Sequence, residues 1–209
     1  MHIRLDKDNI DKAISEAIDV LKRGGIIAYP TETFYGLGVR FDMDDSLKRL
    51  YKLKRRPEEK AMPVIIGEMG LLSSIVPPEW LKNIPQVAKS VMDRFWPGPL
   101  TLLLPAREGL SEYLTARTGM IAVRIPGESF ALQLAKKAGF PITATSANPS
   151  GMPPAVDAEM VLRYFDHKLD LLIDGGQTPG GLSSTIAEVS EGRIRIVREG
   201  AVKIFSDFA

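Results

Sequence analysis

The chain has 209 residues, 44% of them apolar and 25% charged, with a formal net charge of +1. That is a globular composition, and a chain this long buries roughly 70% of the surface its unfolded form exposes, so it needs no disulfide or structural metal to fold. It has no cysteine, and its only histidines, His2 and His167, stand at opposite ends; disulfides, thiol catalysis and cysteine-bound zinc are excluded, and a histidine pair or zinc site is disfavoured.

The opening stretch MHIRLDKDNID carries no apolar signal segment. No run reaches the roughly 18 apolar residues that span a bilayer, so a soluble, cytoplasmic setting without a membrane partner is expected. Ile10, Ala13, Ile14, Ala17, Ile18 and Leu21 recur at helical spacing. Asp8 or Asn9 would cap this helix, and Gly24 with Gly25 would stop it. Residues 26–29 read as a buried strand ended by Pro30, and residues 31–38 as a loop. A second helix should start near Asp45 and run out before Pro57. Residues 63–66 form a short strand.

Val87, Val91 and Phe95 mark another helix, ended by the WPGP stretch at 96–99. Strands follow at 100–104 and 121–125, a helix at 130–138 closed by Gly139, and a strand at 141–145. A helix around Val161, Leu162 and Phe165 leads to a strand at 169–173. The end reads as a hairpin, 185–189 and 193–197, turning at Glu191 and Gly192. Alternating helices and strands closed by an antiparallel hairpin predict one α/β domain over residues 1–209 with a mixed sheet.

Several polar clusters fall at the ends of these elements. Thr31, Glu32 and Thr33 follow directly on a buried strand; they fit a polar turn, or hydroxyls aimed at a small ligand. Lys52, Lys54, Arg55, Arg56 and Lys60 crowd a helix C-terminus, where they complement the helix dipole or clamp a triphosphate. No GxxxxGK[ST] motif exists, so any phosphate cradle must come from separate side chains. Alternation along 121–125 places Ala122 and Arg124 on one face and Ile121, Val123 and Ile125 on the other. An arginine in mid-strand either faces solvent or answers a buried anion. Residues 143–148, TATSAN, end another strand in hydroxyls and an amide. A glycine-rich stretch, 174–185, leads into the hairpin.

Taken together, GGIIAYPTETFYGLG (24–38), KRRP (54–57), WPGPLTLLLP (96–105), IAVRIP (121–126), TSANPSG (145–151), IDGGQTPGGLSSTI (173–186) and IVREG (196–200) resemble the YrdC-like family of threonylcarbamoyl-AMP synthases. They stand in family order across nearly the whole chain. The resemblance implies a three-layer α/β fold, of the YrdC/RibB-like kind, around a twisted mixed sheet flanked by helices, with a positively charged cavity. It implies that Thr33, Arg124, the Ala144 backbone and Ser184 hold L-threonine. Arg56, Lys60, Ser146 and Arg198 would hold ATP, with Lys54 and Asn148 beside them. Three positions depart from the longer, two-domain branch: Ile65 replaces a histidine, and Met120 and Pro154 replace hydroxyl residues. The chain is similar to the single-domain form.

The implied reaction joins ATP, L-threonine and bicarbonate or CO2, releasing pyrophosphate and threonylcarbamoyl-AMP for tRNA modification. It needs no catalytic side chain as nucleophile and no protein-chelated metal; Mg2+ arrives on the triphosphate. The implied partners are tRNA or double-stranded RNA and a downstream threonylcarbamoyl transferase. Residues 149–156 are a candidate lid. Two rival readings use the same residues: a double-stranded RNA or tRNA-binding module without catalysis, and a carbamoyl-transfer domain like that of hydrogenase-maturation proteins.

Overall fold

The structure is a computed structural model that describes residues 1–57, 59–190 and 192–204. The chain opens with β1 (His2–Arg4), α1 (Ile10–Lys22), β2 (Ile27–Pro30), β3 (Tyr35–Gly38), α2 (Asp44–Lys54) and β4 (Val64–Ile65). A 3-10 turn at Met69–Ser74 precedes α3 (Pro78–Lys82), α4 (Gln86–Phe95), β5 (Leu100–Pro105), α5 (Glu112–Thr115) and β6 (Met120–Arg124). Then come α6 (Phe130–Ala138), β7 (Ile142–Thr143), β8 (Thr145–Ser146) and α7 (Ala158–Phe165). The chain ends on β9 (Leu171–Asp174), β10 (Thr185–Ser190) and β11 (Arg193–Arg198). The β10–β11 turn was expected at Glu191 and Gly192; Glu191 lies outside the described residues.

The strands form two mixed sheets, ordered β1-β9-β2-β3-β8 and β11-β10-β5-β6-β4-β7. In the first, β9 runs parallel to β1 and β2, while β3 is antiparallel to β2 and β8. In the second, β10 is parallel to β5 and β4 to β6, with antiparallel pairs elsewhere. The expected α/β class flanked by helices is what the chain adopts, with two mixed sheets where one was expected. α1 turns Ala13, Ile14, Ala17, Val20 and Leu21 inward, as its spacing requires, and packs with α6 against β2. Among the described residues no helix is long and apolar enough to cross a membrane.

The segment read as one strand over 141–145 is split between the sheets. β7 pairs with β4 and β8 pairs with β3, and the chain crosses over at Ala144, whose N–H donates to Pro63 O at 2.8 Å. Val39 N–H donates to Thr143 Oγ1 at 2.9 Å and Thr143 N–H returns a bond to Val39 O at 3.0 Å, so the seam is fully paired. This crossover puts the hydroxyl-rich end of one sheet against strand ends of the other.

The stretch 35–38, read as loop, is strand β3. Its glycines hid it, because glycine has low strand propensity. They are there to admit the Tyr29 ring: a Cβ on Gly38 would stand 2.9 Å from Tyr29 Cε1, and one on Gly36 would stand 3.3 Å from Tyr29 Cζ. β1, α3 and α5 escaped the sequence reading because each is too short to show a full period. Asn9 does precede α1, but its side chain accepts from Asp6 N–H at 3.1 Å and donates to Arg4 O, ordering the turn before the helix rather than capping it. α6 and α7 carry side-chain caps, from Ser129 and Asp157.

Gly67, just after β4, lies against the backbone of α6. An added Cβ would stand 2.4 Å from Lys136 N and Cα, atoms that cannot rotate away. Gly67→Ala is expected to destabilise the fold by about 2–3 kcal/mol, read as a drop in urea midpoint at constant m.

Candidate functional site

Where the crossover brings the sheets together, a cavity of about 300 Å³ opens. Thr33, Arg56, Arg124, Ala144, Ser146 and Ser184 line it, joined by Arg198 from the end of β11. Lys54, Lys60 and Asn148 do not line it. Most of the residues singled out in the sequence thus share one space, although they come from both sheets.

One end of the cavity is rich in hydroxyls. The β2–β3 hairpin turns through residues 31–34, where Thr31 Oγ1 donates to Phe34 O at 2.7 Å and accepts from Thr33 N–H at 3.1 Å. That side-chain turn holds Thr33 at the cavity wall. Thr33 O accepts from Gly180 N–H at 2.7 Å, which docks the glycine-rich stretch alongside. Tyr35 secures the same stretch: its hydroxyl donates to Gly176 O at 2.7 Å and accepts from Gly175 N–H at 3.0 Å. Burial pushes the Tyr35 hydroxyl up to about 12, so it stays a donor at any working pH. Gly176 and Gly180 both have positive φ, which only glycine adopts without strain.

Across the cavity Ser184 Oγ bonds Thr101 Oγ1 at 2.9 Å. Arg198 Nη2 donates to Ser184 O at 2.7 Å and to its hydroxyl at 3.3 Å. The Arg198 pKa is lowered, first by burial and then by the charge of Arg124. Two guanidinium groups therefore feel each other in one cavity.

Arg124 is buried, 8% exposed, and answers an anion within the protein: its Nη1 lies 3.2 Å from Glu32 Oε1. The same carboxylate oxygen accepts from Gly127 N–H at 3.1 Å. Of the two readings open for a mid-strand arginine, the buried-anion one holds. Its anion is a side chain sequence reading had placed only in a polar turn. Ala122 lies on the same face of β6 and also lines the cavity, as the alternation requires.

Arg55, in the left-handed region at φ 50°, ends α2 and turns the chain so that Arg56 reaches the cavity. Arg56 Nε donates to Lys60 O at 2.9 Å and its Nη2 to Ala61 O at 2.6 Å, which fixes the guanidinium plane. Lys54 corrects its sequence reading as a cavity residue. Its side chain is buried, 2% exposed, with Nζ donating to Ser146 O and, at 2.7 Å, to Asn148 O. Burial, then the neighbouring Arg56 charge, brings its pKa down to about 7. Lys54 holds the segment that carries Ser146; it does not face the cavity. Asn148 is part of the same structure: Ser146 Oγ donates to its Oδ1 at 2.5 Å, and its Nδ2 donates to Met152 O at 2.5 Å. Lys60 is exposed and contributes its carbonyl, not its ammonium, to the contacts here.

The segment 149–156, read as a candidate lid, is tied at several points. Ser150 N–H donates to Lys54 O at 2.8 Å, Tyr35 N–H to Ala155 O at 2.9 Å, and Tyr164 hydroxyl to Pro153 O at 3.0 Å. These bonds tie the segment to α2, β3 and α7, and none of its residues lines the cavity. Of the three departures from the two-domain branch, Ile65 lines the cavity, while Met120 and Pro154 do not. The cavity wall also includes Thr101, Leu103, Ile186 and Val197, which the sequence reading passed over. Thr101 could have been found as the lone hydroxyl in an apolar strand. Among the described residues no group of three or more His, Asp or Glu side chains could hold a metal, and the lining has hydroxyls and guanidiniums but no carboxylate. Those donors suit the oxygens of an anionic ligand.

The model of the Sua5/YciO/YrdC family, described as telomere recombination, matches residues 19–200. The threonylcarbamoyl-AMP synthase of Bacillus subtilis is 36% identical over 193 residues, 92% of this chain and 54% of that protein. The chain thus spans about half the length of that relative. The threonylcarbamoyl-AMP synthase of Hahella chejuensis is 33% identical over 181 residues, 87% of this chain and 96% of its own. The solved structure of Pyrococcus abyssi Sua5 complexed with L-threonine superposes at a TM-score of 0.85 with 34% identity, covering 96% of this chain and 57% of that one. By sequence and by fold, the chain belongs to the Sua5/YciO/YrdC family.

Proposed function

We propose that this chain is a threonylcarbamoyl-AMP synthase, using ATP, L-threonine and bicarbonate or CO2 and releasing pyrophosphate. The observation that carries the reading is the cavity in which Thr33, Arg124 and Ser184 stand beside Arg56, Ser146 and Arg198. Support comes also from relatives named for this activity and from a neighbour complexed with L-threonine.

In this reading Arg124 takes the threonine carboxylate, and Thr33 and Ser184 orient the amino acid. Arg56, Ser146 and Arg198 take the triphosphate, and Mg2+ arrives on it. The threonine amine adds to CO2, losing a proton to form a carbamate. A carbamate oxygen then attacks the α-phosphorus, and the bond to the pyrophosphate leaving group breaks. The protein gathers the reactants and neutralises charge on the phosphates, two effects that need no protein nucleophile. Transfer onto tRNA would fall to a separate threonylcarbamoyl transferase.

Purified protein incubated with Mg-ATP, L-threonine and bicarbonate is expected to yield threonylcarbamoyl-AMP by mass spectrometry, with one pyrophosphate per adduct. RNA binding with a steep salt dependence, and no adduct, would overturn this in favour of a nucleic-acid module.

A further inference from the structure

Glu32 has no role in the reaction as set out above, yet its position is unusual. Its Oε1 lies 3.2 Å from Arg124 Nη1 and accepts from Gly127 N–H at 3.1 Å. Its Oε2 is buried without a hydrogen-bond partner. A buried acceptor left unpaired is costly, and such sites are rare in a settled core. Glu32 borders a neighbouring hollow with Glu128, Ser129 and Gln133, not the main cavity, so it bears on a ligand there by its charge beside Arg124 and not by contact.

The charge balance gives this arrangement a purpose. Arg124 and Arg198 face one cavity closely enough that the Arg124 charge weakens the hold of Arg198 on its proton. Two bare guanidiniums match a dianion such as phosphate better than a monocarboxylate, since the attraction scales with the product of the charges. Glu32 cancels one of those charges at Arg124 itself. Glu32 Oε2 has no hydrogen-bond partner, so the Oε1 approach to Nη1 is not a two-pronged bridge, and part of the guanidinium remains for a ligand.

We infer that Glu32 is a specificity-determining residue that reserves Arg124 for a monoanionic carboxylate and denies that position to phosphate. It acts as a positioning group, setting the orientation and the net charge that Arg124 offers. This rests on the proposed reading of Arg124 as the amino-acid carboxylate contact. Without Glu32, the phosphates of the nucleotide or of released pyrophosphate would compete for the amino-acid position. The two anionic reactants would then no longer be held apart.

The test is isothermal calorimetry of the full chain with L-threonine and, separately, with inorganic phosphate, for the wild type, Glu32→Gln and Glu32→Asp. Gln keeps the shape and one acceptor but removes the charge; Asp restores the charge. Glu32→Gln is expected to bind phosphate about tenfold tighter relative to threonine, and Glu32→Asp to recover most of the wild-type preference. A matching rise in phosphate inhibition competitive with threonine should accompany it. An unchanged threonine-to-phosphate ratio in a Glu32→Gln protein with a wild-type melting transition would overturn the inference. Equal change in Gln and Asp would also overturn it, since that is the mark of a purely structural role. A wild type that binds no threonine would instead fault the reading of the site, while the phosphate comparison still reports the Glu32 charge.

Discussion

Arg124→Ala is expected to lower kcat/KM for threonine by roughly 100-fold or more while Mg-ATP still binds within a few-fold of the wild type. The size follows from removing one partner of a charge-assisted contact in a site shielded from water. Shielding is visible in the 8% exposure of Arg124. The selectivity follows from the layout, since Arg56 is fixed by the Lys60 and Ala61 carbonyls and Arg198 by Ser184, with neither leaning on Arg124 for support. A confounding effect is built in. Truncating Arg124 leaves the Glu32 carboxylate buried without its cation, which costs about 3–5 kcal/mol in comparable cases. A lost activity could then be a lost fold. Arg124→Met combined with Glu32→Gln removes both charges and keeps the volume, so the double variant should recover much of the stability and none of the threonine-dependent turnover. Pyrophosphate release near the wild-type rate in the double variant would remove Arg124 from the site. Recovery of stability without activity separates binding from folding.

Much of the layout was legible in residue patterns. The face of β6 carrying Ala122 and Arg124 was readable because a strand alternates strictly, and the cavity lies on that face. α6 runs from Phe130 to Ala138 with Gly139 in the left-handed region, where apolar spacing and a glycine had set its limits. What stayed hidden were contacts between distant segments. Nothing local in the sequence says that Glu32 answers Arg124, because one stands in the β2–β3 turn and the other on β6 of the other sheet, and only the fold brings them together. The cation cluster after α2 shows the limit most clearly. Proximity in sequence grouped Lys54, Arg56 and Lys60 as one phosphate clamp. Helical geometry turns Lys54 into the core, the left-handed turn at Arg55 sends Arg56 the other way, and Lys60 ends at the surface. Three cations close together in the sequence meet three different environments. Most residues of the familial motifs line one cavity; the geometry separates those that line it from those, such as Lys54 and Asn148, that do not.

Lys54→Met tests that distinction. The wild-type ammonium gathers Ser146 O, Asn148 O and, at 3.5 Å, Asn148 Oδ1, and Ser150 N–H closes the loop onto Lys54 O at 2.8 Å. Methionine fills the space but strips Asn148 O of its Lys54 donor, a loss of about 1–3 kcal/mol for a buried carbonyl, while Ser146 O keeps the Asn148 N–H at 2.9 Å. The expected result is a loss of stability of about 1–3 kcal/mol and a rise of roughly tenfold in the KM for ATP, because Ser146 loses its Lys54 anchor. The threonine contacts on the other strands should change little. A group that bound phosphate directly would behave differently: its loss would weaken ATP without lowering the melting temperature. The pH dependence gives an independent check. Burial, with the Arg56 charge second, depresses the Lys54 pKa from 10.5 to about 7. Between those values the unfolded chain keeps a proton that the folded chain has released, so the unfolded state binds more protons and stability rises with pH. As the folded chain releases that proton, just above pH 7, the neutral amine holds the two carbonyls less strongly, so ATP affinity falls there and levels off. Wild type measured between pH 7 and 10 should therefore gain stability while losing ATP affinity, relative to Lys54→Met, which titrates nothing there. Parallel pH profiles in the two proteins would show that Lys54 keeps its proton throughout and that its three oxygen partners outweigh the cost of burying it.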